Sequence, residues 1–335
     1  MAKLGAMRRG VGAAGAIGEP VRIAVGAWVR VAVCASLCVT ACLGCGPQRE
    51  APVEPPTIRI ATGPSGGTYL RLGEAFAAIC ERQWPDVRAR AEATEGSVSN
   101  AKALHERRAD VAFMQADVAY AAYRKGSALR AVAALYTNAL QIITRADGPV
   151  RDIPSLAGRR VGVGPSGSGT GLTADIVMNA HGLNGRVDRR ALTFADAVAQ
   201  VRTGDLDAAF VMASFPTDVI THAGAGLRLL SVDAKVMSTL RTTHPFYRPI
   251  VIPGGTYAGQ SADVRTLGVD NVLACRSDLD DEVARRVTQL LLESLRELAA
   301  AHPSAGTIDP EQAPAAPIPL HPGAKRFYRA RELFR

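Results

Sequence analysis

From residue 57 onward the chain alternates two kinds of hydrophobic pattern. Short apolar runs rich in β-branched side chains give way to longer stretches in which apolar residues recur at helical spacing. Residues 57–62 read as a strand, and 63–68 as a Gly/Ser/Pro turn. Residues 69–84 place Leu72, Ala75, Phe76 and Ile79 on one helical face. A strand over 87–93 follows, then a helix over 97–108 with Ser97 as its predicted cap, then a buried strand over 111–114. The alternation runs on to about Leu298. The segment 280–301 is predicted to be one long amphipathic helix, with Val283, Val287, Leu290, Leu291, Ser294, Leu295 and Leu298 facing inward. Strands alternating with helices predict α/β units on largely parallel sheets.

The pattern also contains an echo. Arg108-Ala109-Asp110-Val111-Ala112-Phe113-Met114 resembles Asp205-Leu206-Asp207-Ala208-Ala209-Phe210-Val211-Met212, each an Asp followed by a short apolar strand. One echo does not make a repeat array, but it fits two similar lobes, each delivering residues to a shared cleft. The expected division is 57–145 with 266–335 for the first lobe and 146–265 for the second. Residues 266–274 form the strand that returns to the first.

Ahead of residue 57 the pattern changes. Residues 31–39 form an apolar run preceded by Arg22 and Arg30, too short to cross a bilayer and suited to an export signal. It ends in Val39-Thr40-Ala41-Cys42, which resembles the bacterial lipobox, where small residues admit a peptidase and the thiol takes a lipid. Residues 1–41 are therefore expected to be a lipoprotein-type signal, with a start that is over-extended. Lipidation is expected at Cys42 rather than Cys45, and the Pro-rich segment 42–56 is expected to be a tether.

Composition narrows the function classes. The net charge of +8 over 335 residues is diluted, since the leader holds five basic residues against one acidic. With aromatics at 5%, neither a basic stripe nor stacking platforms argue for nucleic acid. Cys80 and Cys275 are the two cysteines beyond the leader; they could pair in an oxidising compartment or lie buried as thiols. No metal spacing joins the six His residues, and no Gly-x-Ser-x-Gly elbow occurs, so neither a metal nor catalysis is expected. His321 reads as structural.

Binding chemistry is better supported. Two glycine-rich loops stand between a strand and a helix: Gly63-Pro64-Ser65-Gly66-Gly67-Thr68-Tyr69 and Gly162-Val163-Gly164-Pro165-Ser166-Gly167-Ser168-Gly169-Thr170. Glycine lets backbone N–H groups approach a ligand, and the following helix adds unpaired donors, an arrangement suited to a carboxylate or phosphate. Gly162, Gly164 and Gly167 match the dinucleotide spacing. Asp188 is a poor candidate for the acidic partner, however, and no cofactor is expected. Thr94-Glu95-Gly96-Ser97-Val98-Ser99-Asn100, Gln115-Ala116-Asp117 and Met212-Ala213-Ser214-Phe215-Pro216 occupy further strand ends, where open α/β sheets bind ligands.

These blocks, in this order, resemble the TAXI family of receptors for TRAP transporters. The similarity rests on Gly66-Gly67-Thr68-Tyr69, Gly96-Ser97-Val98-Ser99-Asn100, Ala109-Asp110 leading to Gln115, and Gly167-Ser168-Gly169-Thr170. It extends to Ile252-Pro253-Gly254-Gly255-Thr256-Tyr257 and Ile318-Pro319-Leu320-His321-Pro322-Gly323-Ala324. The resemblance implies a two-lobed α/β periplasmic-binding-protein fold of the type II kind, with crossover strands between similar lobes. It implies a small organic anion or amino acid, such as glutamate, glutamine or a dicarboxylate, delivered to an ion-driven TRAP-type permease. Gly67, Thr68, Tyr69, Ser97, Asn100, Gln115, Ser168, Gly169 and Thr170 would line the cleft, faced by Phe215 and Pro216; Gly66, Gly96, Asp117, Ser166 and Gly167 complete the candidate set. Glu95 departs from the pattern, standing where a small residue is expected. In the cleft it would repel an anion or pair with an amino group; turned outward it would be solvated. The expected protein is a monomeric, extracytoplasmic receptor held to a membrane by lipid. A sensor lobe for a signalling partner is the rival reading, and an exported enzyme on this fold the more distant one.

Overall fold

The computed structural model describes residues 55–333. The expected signal, Cys42 and nearly all of the tether lie outside the described residues. In chain order the strands are β1 (Thr57–Ala61), β2 (Arg88–Glu92), β3 (Val111–Gln115), β4 (Leu129–Arg145), β5 (Arg160–Gly162), β6 (Asp188–Arg190), β7 (Ala208–Ala213), β8 (Leu227–Leu230), β9 (Tyr247–Ile252) and β10 (Val264–Arg276). The helices are α1 (Thr68–Gln83), α2 (Ser97–His105), α3 (Ala116–Arg124), α4 (Gly169–Ala180), α5 (Phe194–Thr203), α6 (Asp218–Ala223), α7 (Ala234–Thr243), α8 (Asp281–Glu293), α9 (Leu295–Ala301) and α10 (Pro322–Leu333).

The sheet runs β2-β1-β3-β10-β4-β7-β5-β6, with β8 added to β4 and β9 to β10. Within each half the strands are parallel: β1 lies between β2 and β3, and β5 between β6 and β7. The middle is antiparallel. Residues 129–139 of β4 pair with β10, and residues 139–144 pair with β7. Residues 271–275 of β10 pair with β3, and residues 264–269 pair with β9. Both long strands thus run from one lobe into the other. The protein is a two-lobed α/β periplasmic-binding-protein fold, in which the sheet is mixed rather than largely parallel because the crossover strands oppose their neighbours.

Period-two alternation sorts the core. On β7, Ala208, Phe210 and Met212 join one apolar cluster, while Ala209, Val211 and Ala213 join another on the opposite face. On β3, Phe113 joins Phe76 and Leu290 on one face, while Ala112 and Met114 face the other way. Both faces are covered, so these strands read as unbroken apolar runs. Cys80 and Cys275 are buried in the first lobe as free thiols, and burial pushes both pKa values up to about 12.

The echo has a physical basis. Asp110 precedes β3 and accepts from the backbone N of Arg59 at 2.9 Å and from its Nε at 3.0 Å. Asp207 precedes β7 and accepts from the backbone N of Arg160 at 2.9 Å and from its Nε at 3.1 Å. Each Asp N–H returns a bond to the matching Arg carbonyl at 2.9 Å. The strands after these arginines lead into Gly63-Pro64-Ser65-Gly66 and Gly164-Pro165-Ser166-Gly167. Both loops turn through a 3.1 Å bond, from Gly67 N to the Pro64 carbonyl and from Ser168 N to the Pro165 carbonyl. Gly66 and Gly167 adopt φ of +80° and +82°, a region that favours glycine.

Two local expectations are corrected. Gly96, not Ser97, is the N-cap of α2, and Ser97 Oγ instead accepts from Gln115 N at 3.0 Å. The helix expected over 280–301 is kinked into α8 and α9 at Ser294, although Leu298 N still bonds the Ser294 carbonyl at 2.9 Å. It starts at a side-chain cap, with Asp280 Oδ1 accepting from Glu282 N and Val283 N.

Burial would raise the pKa of Asp110, but hydrogen bonds and charge from Arg59, joined by Arg276, outweigh it and hold the carboxyl below its usual value. Asp110→Asn is expected to destabilise the fold by about 2 kcal/mol in urea unfolding at neutral pH, a value reduced for the partial exposure of both arginines. Because the folded carboxyl titrates below the unfolded one, this contribution is present above about pH 4 and is lost as pH falls further, so the two proteins should converge in acid. Asp207→Asn, with a more exposed arginine, should cost less.

Candidate functional site

The crossover strands bring polar side chains into an otherwise apolar sheet. Gln115, at the end of β3, stands opposite Asn271 of β10, and Asn138 comes from the neighbouring β4. All three are at most 3% exposed. Asn271 Nδ2 donates to the Tyr136 carbonyl at 2.9 Å, which leaves its Oδ1 as the acceptor. That oxygen receives Asn138 Nδ2 at 3.1 Å and the Tyr69 hydroxyl. Burial raises the pKa of Tyr69, so its phenol remains a donor. The relay orients the Asn138 amide and leaves Asn138 Oδ1 buried without a partner; Gln115 Nε2 is in the same condition.

Above this row lies a cavity of about 30 Å³. Gly67, Thr68 and Tyr69 reach it from the start of α1, Gly96 and Ser97 from α2, and Gln115 from the N-cap of α3. Ser168, Gly169 and Thr170 come from the start of α4 in the other lobe, and Phe194 from the start of α5. The N-caps of α1, α2 and α3 make no side-chain capping bond; Ser99 N of α2 is taken by the Gly167 carbonyl and Val118 N of α3 by Asp117 Oδ1, which leaves the first N–H groups of these ends as donors. Ser168 does cap α4, accepting from Gly171 N at 3.0 Å. An anion in the cavity would meet several helix dipoles at their positive ends, each contributing about 0.3–1 kcal/mol. None of the residues lining the cavity is Lys, Arg or His.

The lobes are in contact around the cavity. Thr68 Oγ1 and Ser214 Oγ lie 2.7 Å apart, and Ser99 N donates to the Gly167 carbonyl at 3.0 Å. Arg71 pairs with Asp218 at 2.9 Å. Gln115 fits only because residue 169 is glycine: a Cβ there would lie 1.4 Å from Gln115 Oε1.

Of the sequence-nominated residues, Gly67, Thr68, Tyr69, Glu95, Gly96, Ser97, Gln115, Ser168, Gly169 and Thr170 line the cavity. Glu95 is exposed at the rim, where its Oε2 accepts from Ser99 Oγ at 3.0 Å. It also borders an outer recess together with Ser166. Gly66 and Gly167 hold the loop turns and stand behind the lining. Asn100 stands behind it too. Its Nδ2 donates to the carbonyls of Thr62 and Phe113 at 2.6 and 2.7 Å, and its Oδ1 accepts from Thr94 Oγ1, tying the loop to the strand ends. Asp117 lies outside the lining, accepting from the Tyr247 hydroxyl at 3.1 Å; burial raises its pKa. Phe215 lines a separate cavity of about 600 Å³ beside Arg248 and Asp270, and Pro216 lines neither. Sequence reasoning missed Asn138, Asn271 and Phe194. Asn138 and Asn271 could have been suspected as uncharged polar residues inside long apolar strands.

A family model described as the NMT1-like family matches residues 60–331, and the chain belongs to that family. Among solved structures, a protein of Bordetella bronchiseptica RB50 superposes with a TM-score of 0.50 at 18% identity, covering 83% of this chain and 90% of the other. The periplasmic aliphatic sulphonate binding protein SsuA of Escherichia coli gives 0.42 at 16% identity, over 84% and 89%. The alkanesulfonate-binding protein SsuA of Xanthomonas axonopodis pv. citri, bound to MOPS, gives 0.45 at 15% identity, over 84% and 93%. At such identities the likeness to the Bordetella protein is one of fold alone.

Gly169→Ala tests the contact between the lobes. Alanine suits the start of a helix, so the lobes themselves should fold and melt as in wild type. The added methyl should hold the lobes apart, seen as a larger radius of gyration in small-angle X-ray scattering. Gln115→Ala in the same chain should reverse that increase.

Proposed function

We propose that the chain is an extracytoplasmic solute receptor whose lobes close on a small organic anion or amino acid and release it unchanged to a membrane permease. The observation that carries this reading is the meeting of helix N-termini from both lobes around a cavity floored by the unpartnered amides of Gln115 and Asn138. Backbone donors hold a carboxylate without a nucleophile or proton relay, which suits capture rather than turnover.

The finer assignment is a TAXI-type receptor working with an ion-driven TRAP permease, for ligands of the glutamate, glutamine or dicarboxylate kind. The order of the loop blocks along the sequence supports it. The lobes are assigned to 57–145 with 266–335, and to 146–265. The chain acts as a monomer, tethered through 42–56 to a lipid on Cys42.

A thermal-shift screen of amino acids and small carboxylates tests the receptor reading. A ligand at 100 times its dissociation constant should stabilise the protein by about 2.7 kcal/mol; no shift with any of them would count against it. For the anchor, Cys42→Ser should move the protein from the membrane fraction to the soluble one. Unchanged membrane association would exclude lipidation at that residue.

A further inference from the structure

The floor of the cavity discriminates among small acids. Asn271 holds the Asn138 amide with its nitrogen engaged, so the atom left over is the carbonyl oxygen, an acceptor. Nothing rotates it away, because the reversed amide would set its oxygen against Asn271 Oδ1, itself an acceptor. The matching leftover at Gln115 is Nε2, a donor. A buried amide atom without a partner is costly, so a solute that satisfies both atoms is strongly favoured over one that satisfies only the donor. A site built to bond a particular group rejects the analogue lacking it.

Charge adds a second restriction. The lining contains Glu95 and no Lys, Arg or His. One carboxylate can be held by the N–H groups at the starts of α1, α2 and α4. A second would have no cation and would share the cavity with the Glu95 carboxylate.

Resting on the receptor reading, we infer that the solute carries one carboxylate and, beside it, an amino or hydroxyl group whose hydrogen is accepted by Asn138 Oδ1, while Gln115 Nε2 donates to an oxygen of the same solute. The preferred class is thus an amino or hydroxy acid of net charge zero or minus one. Among the ligand kinds proposed above this selects glutamine-like amino acids; simple carboxylates and dicarboxylates, glutamate among them, are rejected.

The test varies the solute, so it does not depend on a variant folding. Isothermal titration calorimetry of the full chain would use two matched series: L-alanine, L-lactate and propionate, then L-norvaline, 2-hydroxyvalerate and valerate, with succinate and glutarate as the dianions. In at least one series the amino or hydroxy acid should bind at least about tenfold more tightly than the unsubstituted acid and than either dianion. The better of the amino and hydroxy members identifies the donor. Asn138→Leu should lower the affinity for the amino or hydroxy acid and so remove most of that preference. Equal or tighter binding of propionate, valerate or a dianion would overturn the inference and leave the receptor reading standing. A preference that survives in Asn138→Leu would overturn the role given to Asn138. No heat from any member at about 10 mM would overturn the receptor reading itself.

Discussion

The pairing of β4 with β10 is the constraint on which the rest of the molecule depends. These two strands lie side by side in the middle of the sheet, and each continues into both lobes. Their ladder is largely buried, interrupted by two register shifts between Asp270 and Val272 and between Leu273 and Ala274, and it joins the lobes through these two strands. That geometry allows the lobes to rotate about the crossing while keeping their facing surfaces in register. The same two strands supply Asn138 and Asn271, so the polar floor of the cavity sits on the strands that both lobes share.

On either side of this crossing the halves repeat one plan. Parallel strands β2-β1-β3 answer β6-β5-β7, and the Arg59–Asp110 and Arg160–Asp207 braces occupy matching positions. Each brace ties the start of a central strand to its neighbour, which fixes where the following glycine loop emerges. The two loops of the Gly-Pro-Ser-Gly type therefore face one another, and each launches a helix whose first residues reach the cavity. A ligand between them would meet equivalent donors from both sides, as capture by closure requires.

Electrostatics sets the character of the site. No lining residue is Lys, Arg or His, so an anion held there would be attracted by backbone dipoles, which are fixed and partial. With attraction of that kind, the orphaned amides would decide the fit. Glu95 stands exposed at the rim, bonded to Ser99, where its carboxylate would oppose further negative charge.

The alternation of short apolar runs and helical faces by itself determined the α/β class, the positions of most strands and helices, and the glycine loops at strand ends. Each of these follows from local periodicity and turn chemistry. Those loops supplied Gly67, Thr68, Tyr69, Ser97 and Gly169, and all of them reached the cavity. Only the tertiary structure decided the rest. Asn100 turned inward to brace the backbone carbonyls of Thr62 and Phe113 and the Thr94 hydroxyl, Phe215 faced a different cavity, and Asn138 came from the middle of a strand, marked locally only as a polar residue in an apolar run. Gly96 displaced Ser97 as a cap because Ser97 was needed by the backbone of Gln115, a residue 18 positions away. Such choices depend on which strands lie side by side, and long-range pairing leaves no periodic signature in the chain.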